Sequence, residues 1–337
     1  MNEHLVVRAE QAGMELDEFL CRSFPLFSKR FLRRQVRDGR VLVDGARVQP
    51  SQRLRRDEVV SVDLDEDEAE PAPPPAPEAG LEVLYEDEQV LVVDKPAALA
   101  VEADRWDPSR PNLLGGLHAL AGNLDTVGPP GRFRPRLVHR LDKDTSGAVL
   151  VAKTVEAERA LRLAFDEGRI RKVYLALVEG EHPLGDDEHE LIELPLASDR
   201  RRGGLVVVSE SGKPARTRVA VEQRYRGYTL LRCEPLTGRT HQLRVHLAAQ
   251  GFPLVVDPLY GRRRSFALSE FKRGYRPKPG RVETPLIDRL TLHALRLEFD
   301  APGSTERRVV VEAPLPRDFT RALKQLSKVR AWRARRA

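Results

Sequence analysis

The chain is poor in the residues that build covalent or metal scaffolds. It has two cysteines among 337 residues, Cys21 and Cys233, far apart and without a metal-ligand spacing. A disulfide framework is therefore not its organising feature, and a reducing interior is expected. No histidine falls in an HExxH pattern or a His/Cys cluster, and His241 and His246 are badly spaced for chelation. A GxSxG nucleophile elbow is missing, as are the GxxxxGK[ST] and GxGxxG loops that cradle phosphates after a strand. No apolar run approaches the roughly 20 residues of a membrane span. The start MNEHLVVRAEQAG lacks the basic-then-apolar pattern of a secretory signal. A soluble, cytoplasmic chain without metal or cofactor is the expectation, with a monomer as the default assembly.

What is present is charge, unevenly placed. Lys and Arg number 57 against 51 Asp and Glu, and hydrophobic residues make up 41%, enough for a real core. The length suggests about two domains. The stretch DEDEAEPAPPPAPEAG, residues 65–80, is acidic and then Pro/Ala-rich, which predicts an extended, semi-rigid linker. It divides a small domain, 1–64, from a long one, 81–325, with a basic tail at 326–337.

In the small domain, ELDEFLCRSF places Leu16, Phe19, Leu20 and Phe24 at helical spacing. Ser28 can cap a second helix, SKRFLRRQVRDG, with Phe31, Leu32 and Val36 inward and Gly39 ending it. Its other face carries Lys29, Arg30, Arg33, Arg34 and Arg37, with Arg40 just beyond and Asp38 the one acid in the segment. This is either a solvated face or a footprint for a phosphate backbone, and the density of cations favours the second. VLVDGARV reads as a hairpin turning at Asp44-Gly45. In that order, ELDEFL, SKRFLRRQVRDGRVLVDG and RLRRDEVVSV resemble the small RNA-binding module named after ribosomal protein S-four, which implies shape-driven binding of structured RNA.

The long domain alternates strands with a few helices. LEVLYEDEQVLVVDKPA suggests two strands around the turn at 86–88, GAVLVAKT a third, and Thr154 can cap the helix VEAERALRLAFDEG. RKVYLALVEG, TRVAVEQRY, YTLLRCEPL, TLHALRLEF and RRVVVEAP follow as strands, so the fold class is α+β with a mixed, largely antiparallel sheet. Residues 262–278, rich in cations, Gly and Pro, should form a mobile basic loop. The chemistry left over is a carboxylate, a set of Arg and His residues, and a tyrosine.

HRLDKDTSG, the run Lys172-Val173-Tyr174, TGRTHQLRVH and LYEDEQVLVVDKP look like the pseudouridine synthases that modify bacterial ribosomal and transfer RNA. The module in front matches the subgroup that acts on large-subunit ribosomal RNA. The resemblance implies that Asp142 is the catalytic carboxylate and that Arg140 enters the RNA where the base flips out. It implies that Tyr174 stacks on uracil and is the proposed base at C5, and that Arg244 pairs with Asp142. His139, Lys172, Arg239, His241 and Gln242 are candidate substrate-binding residues. For Arg239, His241 and Gln242, holding their turn together is the equal alternative. Asp142 as a plain ion pair, Tyr174 as a strand aromatic and Arg244 as a surface strand cation are the bland readings that the motifs displace.

The chemistry is consistent with these residue types. Isomerising uridine needs no cofactor, an arginine keeps a carboxylate ionised and can clamp it bidentately, and an aromatic face offsets lost base stacking. Asp144 should cap the turn through residues 145–147. The chain departs from the family pattern in VDKPAALAV, where an Asn before Lys95 and a Gly after Ala97 are common. It also departs in LVVDPLYG, which lacks the usual Gly before Asp257. These changes bear on loop shape and are expected to leave Asp142, Tyr174 and Arg244 untouched. The rival readings are the same chemistry on transfer RNA, a non-catalytic RNA-binding assembly factor, and a glycoside hydrolase. The last lacks its second acid.

Overall fold

The computed structural model describes residues 2–7, 11–24, 27, 29–64, 76–77, 80–102, 110–123, 133, 135–199, 202, 204–276, 280, 282–304 and 307–332. Most of the expected linker, the Ser28 cap and the end of the basic tail lie outside the described residues.

The N-terminal part is a four-stranded sheet with two helices. Strand β1 (Asn2–Val6) pairs β4 (Val59–Asp63), which pairs β2 (Val41–Val43), and β3 (Ala46–Arg47) closes the edge. Asp44 and Gly45 both have positive φ, 48° and 76°, the pair of left-handed positions that a tight hairpin demands. Helices α1 (Leu16–Ser23) and α2 (Lys29–Arg37) bury Leu16, Phe19, Leu20, Phe31, Leu32 and Val36 against that sheet. Gly39, at φ 78°, ends α2 as expected.

The second part is built on one ten-stranded sheet. Its elements in chain order are β5 (Glu82–Glu86), β6 (Val90–Lys95), α3 (Leu113–Asn123), β7 (Arg136–Leu137), β8 (Ser146–Ala152) and α4 (Val155–Asp166). There follow β9 (Arg171–Glu179), β10 (His189–Glu193), the hairpin β11 (Leu196–Ser198) and β12 (Val206–Val208), β13 (Arg216–Tyr225) and β14 (Tyr228–Pro235). Helix α5 (Gln242–Ala249), β15 (Leu292–Asp300), β16 (Arg308–Glu312) and α6 (Arg317–Val329) complete it. The order β10-β13-β14-β9-β15-β8-β6-β5 is antiparallel except where β15 meets β8, through His293–Ser146 and Ala294–Gly147. This is the mixed, largely antiparallel α+β sheet that the sequence pattern predicts. Hairpin β11–β12 stands apart as its own two-stranded sheet.

The parallel join needs Gly147. A Cβ there would lie 2.2 Å from the Ala294 carbonyl oxygen, and the residue sits at φ 118°. The glycine of the TSG run thus lets the two halves of the sheet meet, and the residues just before it are delivered to the seam. Thr154 caps α4 as expected, its hydroxyl accepting from the Ala157 N–H at 3.1 Å.

Two expectations fail. The segment after Arg262 is not a free loop: Phe266 and Phe271 are buried and stacked at 4.8 Å, and Arg263 pairs with Glu179 and Glu270. Reading only its cations missed two aromatic anchors. The basic tail does not begin at 326, because α6 runs to Val329 and Leu326 is fully buried beside Phe319 and Ala322.

Candidate active site

The loop from Leu137 to Thr145 carries Asp142 to the seam where β8 meets β15. Three ties hold it. His139 Nε2 accepts the Leu150 N–H at 2.8 Å, and its ring packs on Phe165 at 4.9 Å. Burial, with Lys172 adding to it, pushes His139 down to about 3, so the ring is neutral and serves as a fixed acceptor. Lys95, fully buried, donates to the carbonyls of Pro96, Leu99 and Lys143 at 2.8–2.9 Å. The Thr145 N–H closes the turn onto the Asp142 carbonyl at 3.1 Å. His139 is therefore a structural peg for the Asp142 loop, while its side chain also lines the cavity described below.

Arg244 meets Asp142 from α5, a helix and not the surface strand of the bland reading, with the side chain 5% exposed. Its Nη1 donates to Asp142 Oδ2 at 3.0 Å. The bidentate clamp is made elsewhere: Nε and Nη2 donate to the two oxygens of Asp257, both at 2.8 Å. Asp257 also accepts the Leu259 and Tyr260 amides, so this buried carboxylate is fully engaged. The LVVDPLYG departure adjoins the residue that aims Arg244, and Arg244 nonetheless reaches both Asp257 and Asp142. Asp142 keeps 24% of its side chain exposed, with a single guanidinium N–H on one oxygen.

Tyr174, on β9, faces the same space. Burial, then the nearby Asp142 charge, pushes its phenol above the ordinary tyrosine value. The free protein therefore holds Tyr174 protonated, which fits an apolar stacking face and argues against a ready-made base. Gln242, 4% exposed, spends its amide on Thr237, the Arg239 N–H, the Arg216 carbonyl and Thr217. It holds the turn. Arg239 reaches the Pro214 carbonyl at 3.1 Å. His241 caps α5 in the left-handed region at φ 55° and bonds Tyr260 at 2.8 Å.

These groups line one cavity of about 1070 Å³, among them Arg140, Asp142, Lys172, Tyr174, His241 and Arg244. That is at the upper end of ligand pockets, roughly 300–1,000 Å³, and suits a polymer segment with one nucleotide inserted. Arg140 is exposed within it, and the Lys172 ammonium lies 5.7 Å over the Phe165 ring. Among the described residues no cluster of three or more His, Cys, Asp or Glu could hold a metal, and no helix is long and apolar enough to cross a membrane.

The cationic helix α2 is less free than its sequence suggests. Lys29 and Arg33 both pair with Asp17, a buried residue of α1, at 3.2 and 2.6 Å. Arg34 lies 4.0 Å from Asp38, and Arg30 and Arg37 face solvent. Glu18 of α1 pairs with Arg159 of α4, tying the two parts together.

Two departures in VDKPAALAV acquire a meaning. Ala98, where a glycine is common, sits at φ 63°, the conformation a glycine would adopt, so the loop keeps its shape at the cost of backbone strain. Asp94, in place of the usual asparagine, has a buried Oδ1 without a hydrogen-bond partner.

The residues that the sequence reading did not single out are Lys95, Asp257 and Tyr260. All three sit in quoted stretches, DKP and DPLYG, but their work is to hold other side chains.

A sheet seam delivering a carboxylate to a nucleotide-sized cleft, behind a basic module, defines a class of enzyme that acts on a base taken out of an RNA strand. The match to known proteins narrows it. Residues 89–249 fit the family model described as RNA pseudouridylate synthase, and residues 14–60 fit the S4 domain. Ribosomal large subunit pseudouridine synthase C of Escherichia coli strain K12 is 35% identical over 335 residues, covering 97% of each chain. Synthase D of Neisseria meningitidis serogroup B is 36% identical over 325 residues, 96% of this chain and 81% of that one. The solved structure of human RNA Pseudouridylate Synthase Domain Containing 1 superposes with a TM-score of 0.52 at 28% identity, over 72% of this chain and 86% of that one. The chain belongs to the RNA pseudouridylate synthase family.

Proposed function

We propose that this protein converts specific uridines of large-subunit ribosomal RNA to pseudouridine, with Asp142 as the catalytic carboxylate. The N1–C1′ bond breaks, the base turns, C5 bonds to C1′, and the C5 proton is lost as N1 gains one, so substrate and product are isomers and no co-reactant is consumed. Asp142 either attacks or removes a sugar proton; both routes need it ionised and aimed. The observation that carries the reading is the Asp142–Arg244 contact inside a cleft also lined by Tyr174. Arg244 donates one N–H and is itself held by Asp257, so the aspartate is steadied without being fully neutralised.

In this proposal Tyr174 takes the face of the extruded uracil, a contact worth about 1–3 kcal/mol. Arg140 occupies the space the base leaves, and Lys172, His241 and Arg239 face the strand. The cations of α2 hold the phosphate backbone further out. The relatives named for the large ribosomal subunit support that substrate over transfer RNA. The reading takes the protein to act in the cytoplasm, as a monomer.

The test is a site-resolved pseudouridine map of cellular RNA from a deletion strain complemented with wild type or with Asp142→Asn. Large-subunit sites absent in both deletion and variant confirm substrate and residue together. Sites lost from transfer RNA instead would move the substrate. Sites restored by Asp142→Asn would sink the catalytic assignment and favour a binding factor.

A further inference from the structure

Tyr260 lies outside the lining of the catalytic cavity yet touches Asp257, Arg244 and His241, which flank Asp142. Its backbone N–H is held by Asp257, its ring packs 5.0 Å from the Arg244 guanidinium carbon, and its edge meets the His241 ring at 5.5 Å. Its hydroxyl makes two contacts of 2.8 Å, one with the Val206 N–H of hairpin strand β12 and one with His241 Nδ1. We propose that Tyr260 fixes the tautomer of His241, so that His241 presents a neutral Nε2–H beside Asp142 as donor to the uracil carbonyl of the flipped nucleotide. The proposal rests on the uridine-isomerase reading.

The hydrogen count leads there. A backbone amide can only donate, so the Val206 N–H takes up a lone pair of the Tyr260 oxygen. The phenol has one proton, and His241 Nδ1 stands at bonding distance from it. Tyr260 therefore donates, Nδ1 accepts, and the ring hydrogen of a neutral His241 is left on Nε2. Burial lowers the His241 pKa, with Arg244 and Arg140 pushing the same way against Asp142 and Asp257; those four are the charged groups facing the ring.

Nε2 stands 3.9 Å from Asp142 Oδ2, too far for a hydrogen bond and suited to a third atom placed next to both. Charge explains why neutrality matters. An imidazolium at that distance would pair with Asp142 and compete with the reaction, whereas a neutral N–H orients a carbonyl without quenching the carboxylate. Tyr260 is thus a positioning residue that acts through His241, and hairpin β11–β12 is braced against the same hydroxyl.

Tyr260→Phe removes the hydroxyl and keeps the ring under Arg244. In the full chain with ¹⁵N-labelled histidine, wild-type His241 should show the Nε2–H tautomer, and the variant a mixture. Single-turnover conversion of an RNA that the wild type modifies should fall roughly tenfold, the loss of one orienting hydrogen bond, with RNA affinity unchanged. The variant should also lose rate on the acid side, because Nδ1 without its donor protonates more readily. His241→Gln, which keeps an N–H near the Nε2 position and has no tautomer to set, should retain more activity than His241→Ala and be indifferent to Tyr260→Phe. An Nδ1–H tautomer in the wild type, an unchanged tautomer and rate in Tyr260→Phe, or His241→Gln as inactive as His241→Ala would each overturn the proposal. A wild type that forms no pseudouridine in any RNA would instead overturn the isomerase reading, and the tautomer assignment would still be decided by the nitrogen shifts.

Discussion

Asp257 behind the catalytic cleft and Asp17 in the N-terminal module are both buried carboxylates that hold cations, and they hold them differently. Asp257 is 1% exposed and clasps Arg244, itself 5% exposed, through two parallel bonds. Asp17 is fully buried, but its partners Lys29 and Arg33 remain 47% and 44% exposed, and its Oδ1 has no hydrogen-bond partner. One pair is sealed from water so that an arginine keeps a single geometry. The other draws the roots of a cationic face together while leaving the charges in solvent, where a phosphate backbone can exchange for them. Asp94 adds the limiting case, a half-buried carboxylate whose Oδ1 is buried with no hydrogen-bond partner at all.

The sealed pair carries the largest expected effect. Asp257→Asn leaves the buried Arg244 charge with Asp142 as its sole listening carboxylate and should cost about 3 kcal/mol of stability. Turnover should fall with it, because Arg244 becomes free to swing wholly onto Asp142. Urea denaturation alongside single-turnover kinetics checks both; a loss below about 1 kcal/mol would mean that the pair behaves like a surface one.

How much of this was legible beforehand follows the same division. Asp142, Tyr174 and Arg244 stood in recognisable strings, and the structure brings them into one cavity. The hairpin at Asp44-Gly45, the Thr154 cap and the strands around β8 were readable because their causes are local: turn conformation, a hydroxyl, an alternating or continuous apolar run. Asp257 was not readable as the clamp, since it is 13 residues from Arg244 and only the packing of α5 sets them together. The structural roles of Gln242 and His139 were hard to read for a related reason. A polar side chain beside a catalytic motif looks the same in sequence whether it meets substrate or a backbone amide such as that of Leu150. The basic helix was overcounted because Asp17 lies on a different helix from the cations that it pairs with.

That overcount yields a middle-sized prediction in RNA affinity rather than stability. Replacing solvent-facing Arg30 and Arg37 with Gln should weaken RNA binding and reduce the magnitude of the salt slope by about 0.9 per lost phosphate contact, so by nearly two. Replacing Lys29 and Arg33 should reduce it less, because Asp17 already competes for both. Equal losses in filter-binding titrations over a range of salt would show that the Asp17 pairs open fully when RNA docks, and would erase the distinction drawn between the two regions.

The smallest effect tests Asp94, whose Oδ1 is buried without a hydrogen-bond partner. Burial, and then Glu82 directly across the β5–β6 ladder, push Asp94 up to about 6, with Lys95 and Arg289 only partly offsetting them. A carboxyl whose folded value lies above its unfolded one favours the native state while protonated. That contribution is complete below about 4 and is lost as pH rises through about 6. Asp94→Asn should therefore leave stability unchanged at pH 3.5 or so and raise it at pH 7. The gain should be about 1 kcal/mol once solvent screening of this half-buried group is allowed for. Denaturation midpoints of wild type and variant should converge on acidification and separate between those limits. A variant less stable than wild type at neutral pH would mean that Asp94 is held by Lys95 and Arg289 after all, and that all three aspartates are paired to different degrees.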